Sequence, residues 1–122
     1  MSEGTIGLTF LLFTLVLLPA VCVFVTRQAA EGSINRNAAA GIRTRYTQAS
    51  EEAWTAGHAA ALPVVRKMWI VGVTGILIAV SVHFLVGDQA GPVTALVALI
   101  AQTVILFGSA AAANRAARTT PR

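Results

Sequence analysis

Three uncharged runs govern what this chain can fold into: Gly4 to Thr26, Met68 to Gly87, and Gln89 to Asn114. Each is as long as the ~20 apolar residues that carry a helix, at ~1.5 Å per residue, across a ~30 Å hydrocarbon layer. Together they take up most of the 122 residues. The chain is 56% hydrophobic and only 11% charged, against the ~25% charged that is usual for soluble domains. Too little is left outside the runs to bury a soluble core. The expected fold is an all-α membrane protein, a single membrane domain with three transmembrane helices. The first span is expected over 5–27, a polar loop over 28–62, the second span over 63–86, the third over 92–113, and a loose basic tail over 114–122.

The charges give the expected orientation. All nine Lys and Arg lie in two places: Arg27, Arg36, Arg43, Arg45, Arg66 and Lys67 around the loop, and Arg115, Arg118 and Arg122 after the third run. The N-terminus and the link from Gly87 to Gly91 have none. By the positive-inside rule this puts the N-terminus outside, and the loop and C-terminus in the cytoplasm of a bacterial plasma membrane. Nucleic acid is not expected as a partner, because anionic lipid is the nearer polyanion. Membrane lipids and a membrane-protein partner are. The single Cys22 lies within the first run, so it offers no intrachain disulfide. The N-terminal segment carries Glu3 and no basic residue, unlike a secretory signal, and the first span is expected to be retained.

Within the spans a few residues stand out. Pro19 removes one helical N–H and frees a carbonyl that a neighbour must satisfy. Gly72 and Gly75 allow another helix to come close, as does the small-residue run opened by Gly108. Gln102 is costly in lipid unless paired, and Thr74 or Thr14 is the expected partner.

The loop carries most of the remaining chemistry. Ser33, Asn35 and Asn37 favour turns. Gly41 permits a sharp change of direction. Ser50 suits a helix N-cap, followed by Glu51 and Glu52 at the positive end of the helix dipole. A short amphipathic helix is expected over about 50–62, with Ser50, Trp54, His58 and Leu62 on one stripe, lying on the inner membrane face. Pro63 is expected to open the second span.

The spacing Asn37-x-x-x-Gly41-Ile42-Arg43-Thr44, then Thr47, Ser50, Trp54 and His58, resembles the signature of the SdpI/YfhL family of small bacterial membrane proteins. In that family the same segment follows one transmembrane helix and precedes the next. Arg45 departs from the pattern, since members often have Pro there. The resemblance implies a protein that acts through contacts, in immunity to a membrane-active toxin or in signalling at the envelope. It marks Asn37, Gly41, Arg43, Thr44, Thr47, Ser50, Trp54 and His58 as candidates for binding a partner or lipid.

Each of these also has a plainer structural role open to it. The Arg43 guanidinium fits a lipid phosphate or a partner carboxylate, and equally the carbonyls of its own loop. Trp54 suits an interfacial anchor. His58 is placed to sense pH or to hydrogen-bond across the loop. His58 and His83 are about 37 Å apart along a straight helix, so one iron cannot take both. No metal or other cofactor is expected. No Ser–His–Asp set, paired carboxylates or phosphate loop appears, and no acid lies at membrane depth, so no enzymatic activity is expected. The alternative is a small accessory subunit of a larger respiratory or transport assembly, packing through Gly72, Gly75, Gln102 and Gly108.

Overall fold

The computed structural model describes residues 1–121, and Arg122, counted above with the basic tail, lies outside them. The elements are α1 (Glu3–Ala30), a short 3-10 turn (Thr47–Ala49), α2 (Glu51–Val65), α3 (Lys67–Leu85) and α4 (Ala90–Arg118), with no strand among the described residues. Three helical rods are long and apolar enough to cross a membrane: α1, α2 together with α3, and α4. The protein is an all-helical, multi-pass membrane protein.

The exposed side chains mark a lipid-facing belt. Large apolar residues face outward from Ile6 to Phe24 on α1, from Ile70 to Leu85 on α3, and from Val93 to Phe107 on α4. On α1 that stretch rises about 27 Å, close to the thickness of a hydrocarbon core. Beyond Phe24 and Phe107 the outward positions turn polar or small, with Arg27, Gly108, Ala111, Arg115 and Arg118 exposed.

Two expectations change here. α2 does not lie flat on the membrane face. Val65 shares a core cluster against which Ile105 and Leu106 of α4 pack, Gly57 faces the Ala113 carbonyl, and the Ser50 hydroxyl donates to the Pro121 carbonyl at 2.6 Å. α2 therefore runs antiparallel to the end of α4 and carries on the line of α3. The reason is a buried stripe that crosses the joint without a break. Trp54, His58, Ala61, Val65, Met68, Gly72, Gly75, Ala79 and His83 recur every three or four residues, the spacing of a helix seam in a left-handed bundle. Pro63 accordingly sits inside α2, and the break falls at Arg66. The second correction is the tail. Asn114 to Arg118 is helical, because α4 is held by α2 well past the end of the apolar belt.

The bundle closes around Gln102. Its side-chain amide donates to the carbonyls of Leu15 at 3.1 Å and Met68 at 3.0 Å, joining all three rods. Leu15 is the residue whose carbonyl Pro19, four positions on and lacking an N–H, leaves unbonded within α1. Gln102 thus supplies the donor that Pro19 removed. Thr14 and Thr74 are not its partners: the Thr14 hydroxyl donates to Phe10 of its own helix, and Thr74 faces outward. Gly72 makes the approach possible, since a Cβ there would sit 2.9 Å from the Gln102 amide nitrogen and 3.0 Å from the Leu15 oxygen. A Cβ on Gly75 would meet Ala98 at 2.6 Å.

At the end of the bundle away from the arginines, a small polar cluster ties α1 to the α3–α4 link. Asp88 accepts from the Ser2 hydroxyl at 2.7 Å and the Gly4 amide at 3.2 Å. Buried His83 bonds the Thr5 hydroxyl at 3.1 Å.

Candidate functional site

The loop between α1 and α2 is knitted into a rigid piece by the residues that stood out in the sequence. Trp54 and His58 are fully buried on one face of α2, their ring centroids 4.2 Å apart. The Trp54 indole N–H donates to the Ile34 carbonyl at 2.7 Å, which pins the start of the loop. The Ile42 backbone N–H donates to His58 Nε2 at 2.8 Å, which pins its middle. That bond makes Nε2 an acceptor, so the proton sits on Nδ1, which donates to the Trp54 carbonyl at 2.8 Å. His58 is therefore held neutral, with both nitrogens occupied and no lone pair to offer a metal.

Gly41 lies directly on these rings. Its φ is +114°, and a Cβ would stand 2.7 Å from the Trp54 ring and 3.0 Å from His58 Nε2. Replacing Gly41 with Ala is expected to lower the stability of the loop by roughly 1–2 kcal/mol from backbone conformation alone. Faster amide exchange across residues 33–50, with the spans unchanged, is the readout.

Thr44 and Thr47 cap each other. The Thr44 amide donates to Thr47 Oγ1 at 3.0 Å and the Thr47 amide to Thr44 Oγ1 at 3.2 Å. The Thr44 hydroxyl then donates to Asn114 of α4 at 2.6 Å, and the Thr47 hydroxyl to the Ile42 carbonyl at 2.6 Å. Gly57 leaves room for the Thr47 methyl, which would be 3.1 Å from a Cβ there. Ser50 caps α2, accepting from the Ala53 amide at 3.0 Å. Arg43 turns back on its own loop and donates to the carbonyls of Arg36 and Ala38. Asn37 is exposed; its backbone amide donates to the Asn35 side chain at 3.0 Å, so Asn35 makes the turn.

The structure thus brings together Gly41, Thr44, Thr47, Ser50, Trp54 and His58, ties Arg43 into the loop, and leaves Asn37 outside. Three participants were not anticipated. Asn114 was overlooked because it read only as the end of an apolar run. Tyr46 lies between two guanidinium groups, 4.8 Å from Arg45 and 4.3 Å from Arg118. The hydrogen bond from Arg45 holds its phenol below the ordinary value. Pro121 takes the Ser50 hydroxyl. An Arg36–Glu51 pair at 3.3 Å spans loop and helix, with Glu51 exposed and Arg36 half-buried; open to solvent on the Glu51 side, it adds modest stability.

Burial pushes the His58 pKa below its ordinary value, opposed by the bond to the Trp54 carbonyl. Below about pH 6.5 the unfolded loop therefore binds protons that the folded one refuses. The contribution of His58 is fully present above that pH and falls away as pH drops toward the folded value. The midpoint of loop release, followed by Trp54 fluorescence in a Trp69→Phe background, is expected to fall between pH 7.5 and 5.5. The part of that fall due to His58 should vanish in His58→Gln.

The fold and this loop define a class: a small multi-pass membrane protein whose polar loop is locked onto the end of its helix bundle. The chain belongs to the SdpI/YfhL protein family, whose profile matches residues 33–109, from the start of the loop to well into α4. No curated protein and no solved structure matches the chain.

Proposed function

We propose that the protein is a non-enzymatic membrane protein that works through protein contacts, in envelope protection against a membrane-active toxin or in signalling. The loop and the end of α4 face the cytoplasm in this reading, which the placement of the arginines supports. One observation carries it. The signature side chains are spent on one another: Trp54, His58, Thr44, Thr47 and Ser50 all bond to loop or helix atoms. What they present outward is a fixed surface containing Arg45, Tyr46 and Arg118. A half-buried tyrosine held beside two exposed arginines suits recognition of a partner.

The test is survival. Cells with and without the gene are challenged with membrane-active peptides, and again with Tyr46→Ala and Arg43→Ala. Protection by the wild type and its loss in the variants is the expected result. Equal survival throughout removes the immunity version.

An accessory subunit of a larger assembly is the second reading. Gly72, Gly75 and Gln102 are consumed inside the bundle. Gly108 remains open, with only a Val64 methyl at 4.0 Å from a Cβ placed there. A companion at fixed stoichiometry after mild-detergent purification, lost in Gly108→Leu, would favour it.

A further inference from the structure

A groove of about 320 Å³ runs between the end of α1 and the signature loop, with Val21, Cys22 and Thr26 on one wall, Ala40 and Ile42 on the other, and Leu106 of α4 behind. That volume is at the low end for ligand sites. We propose that it binds one acyl chain of an anionic phospholipid from the leaflet at the arginine-bearing end. Three observations select this occupant over a protein segment. The groove starts within the lipid-facing belt, where Val21 is 50% exposed and neighbouring Phe24 60% exposed. Its mouth is therefore already bathed in hydrocarbon. The lining is almost wholly apolar, as a chain requires and a polar headgroup does not. Two arginines neighbour its lining in the chain: Arg27 follows Thr26 and is exposed where the belt ends, and Arg43 follows Ile42 with its guanidinium turned onto the Arg36 and Ala38 carbonyls. A chain lying in the groove puts its phosphate among those cations.

The site also gives the Gly41 turn a second consequence. The loop meets α1 through small backbone-like residues, Ala40 and Gly41, and so leaves a slot where larger side chains would close it. The inference does not rest on the protein-contact reading, since it concerns the isolated protein and a lipid.

Native mass spectrometry of the full chain, released from micelles titrated with phosphatidylglycerol or phosphatidylcholine, tests it. The expected result is one retained lipid per chain, with phosphatidylglycerol preferred about fivefold for each arginine engaged. Ala40→Trp fills the slot and is expected to abolish the one-to-one adduct. Arg27→Ala should reduce the headgroup preference and leave phosphatidylcholine binding unchanged. Protection of the loop from trypsin confirms that each variant is folded. If Ala40→Trp disturbs the loop, Val21→Trp on the lipid-facing surface of α1 serves in its place. Undiminished retention in the folded filling variant would overturn the proposal. So would a wild-type dimer that the same variant splits, because a second copy would then be the occupant.

Discussion

Replacing Trp54 with Ala releases the whole loop from the bundle. Trp54 is fully buried, and its indole bonds the Ile34 carbonyl while its ring supports Gly41 and His58. Truncating a buried Trp costs about 3–5 kcal/mol, and here it also strands a carbonyl. The α1, α3 and α4 contacts around Leu15, Ala79, Ala95 and Ala98 involve none of these atoms. The damage is therefore local. In wild type, Arg36, Arg43 and Arg45 sit in ordered chain and trypsin must wait for local opening. In Trp54→Ala, cleavage at these sites should accelerate about a hundredfold or more, with helix content nearly unchanged. Trp54→Phe keeps a smaller ring but loses the N–H to Ile34 and the ring edge under Gly41, and should cost about 1–3 kcal/mol, less than the truncation to Ala.

The second large effect lies within the membrane belt. Gln102→Leu leaves the Leu15 carbonyl with no donor, because Pro19 already denies it one from its own helix. A buried acceptor left bare costs about 1–3 kcal/mol, with water too far away to help. The distinctive result is the double change. With Pro19→Ala, residue 19 regains an N–H and α1 satisfies Leu15 by itself. Gln102→Leu should then be milder, with a coupling of about 1–2 kcal/mol in unfolding from mixed micelles. Strict additivity would mean that Gln102 and Pro19 do not share that carbonyl.

Much of this architecture is legible in the sequence, for a physical reason. Uncharged runs long enough to cross a bilayer have few other ways to fold, so the spans follow from charge placement. Gly32, with φ of +85° just after α1, takes the left-handed conformation in which a helix commonly stops. Legibility fails where helices choose partners. Pro63 looks like a helix start, yet an exposed position in the middle of the α2–α3 rod tolerates it. The expected flat amphipathic helix rested on Trp54 and His58 as a stripe at the membrane interface. They are instead a dry one, because the loop folds over them and α4 extends alongside. That extension was hidden: Asn114 to Arg118 look like a trailing end until Thr44 is seen to bond Asn114, with Gly57 against the neighbouring Ala113 carbonyl. The Gln102 donor was readable and its acceptor was not, since the orphaned carbonyl is created by a proline on another helix.

The central claim is that the signature loop is fastened to the end of α4. Cysteine pairing tests it most directly, because Cys22 is the only native cysteine and Cys22→Ala removes it. Thr44→Cys with Asn114→Cys replaces side chains whose oxygens are 2.6 Å apart, close enough to bring the sulfurs within bonding reach. Ser2→Cys with Asp88→Cys, replacing a 2.7 Å contact at the other end, reports that the bundle has formed. Mild oxidation in native membranes should link both pairs nearly completely, read as joined peptides after digestion. A linked Ser2–Asp88 pair with a free Thr44–Asn114 pair would contradict the account, for the spans would then be assembled while the loop hung loose.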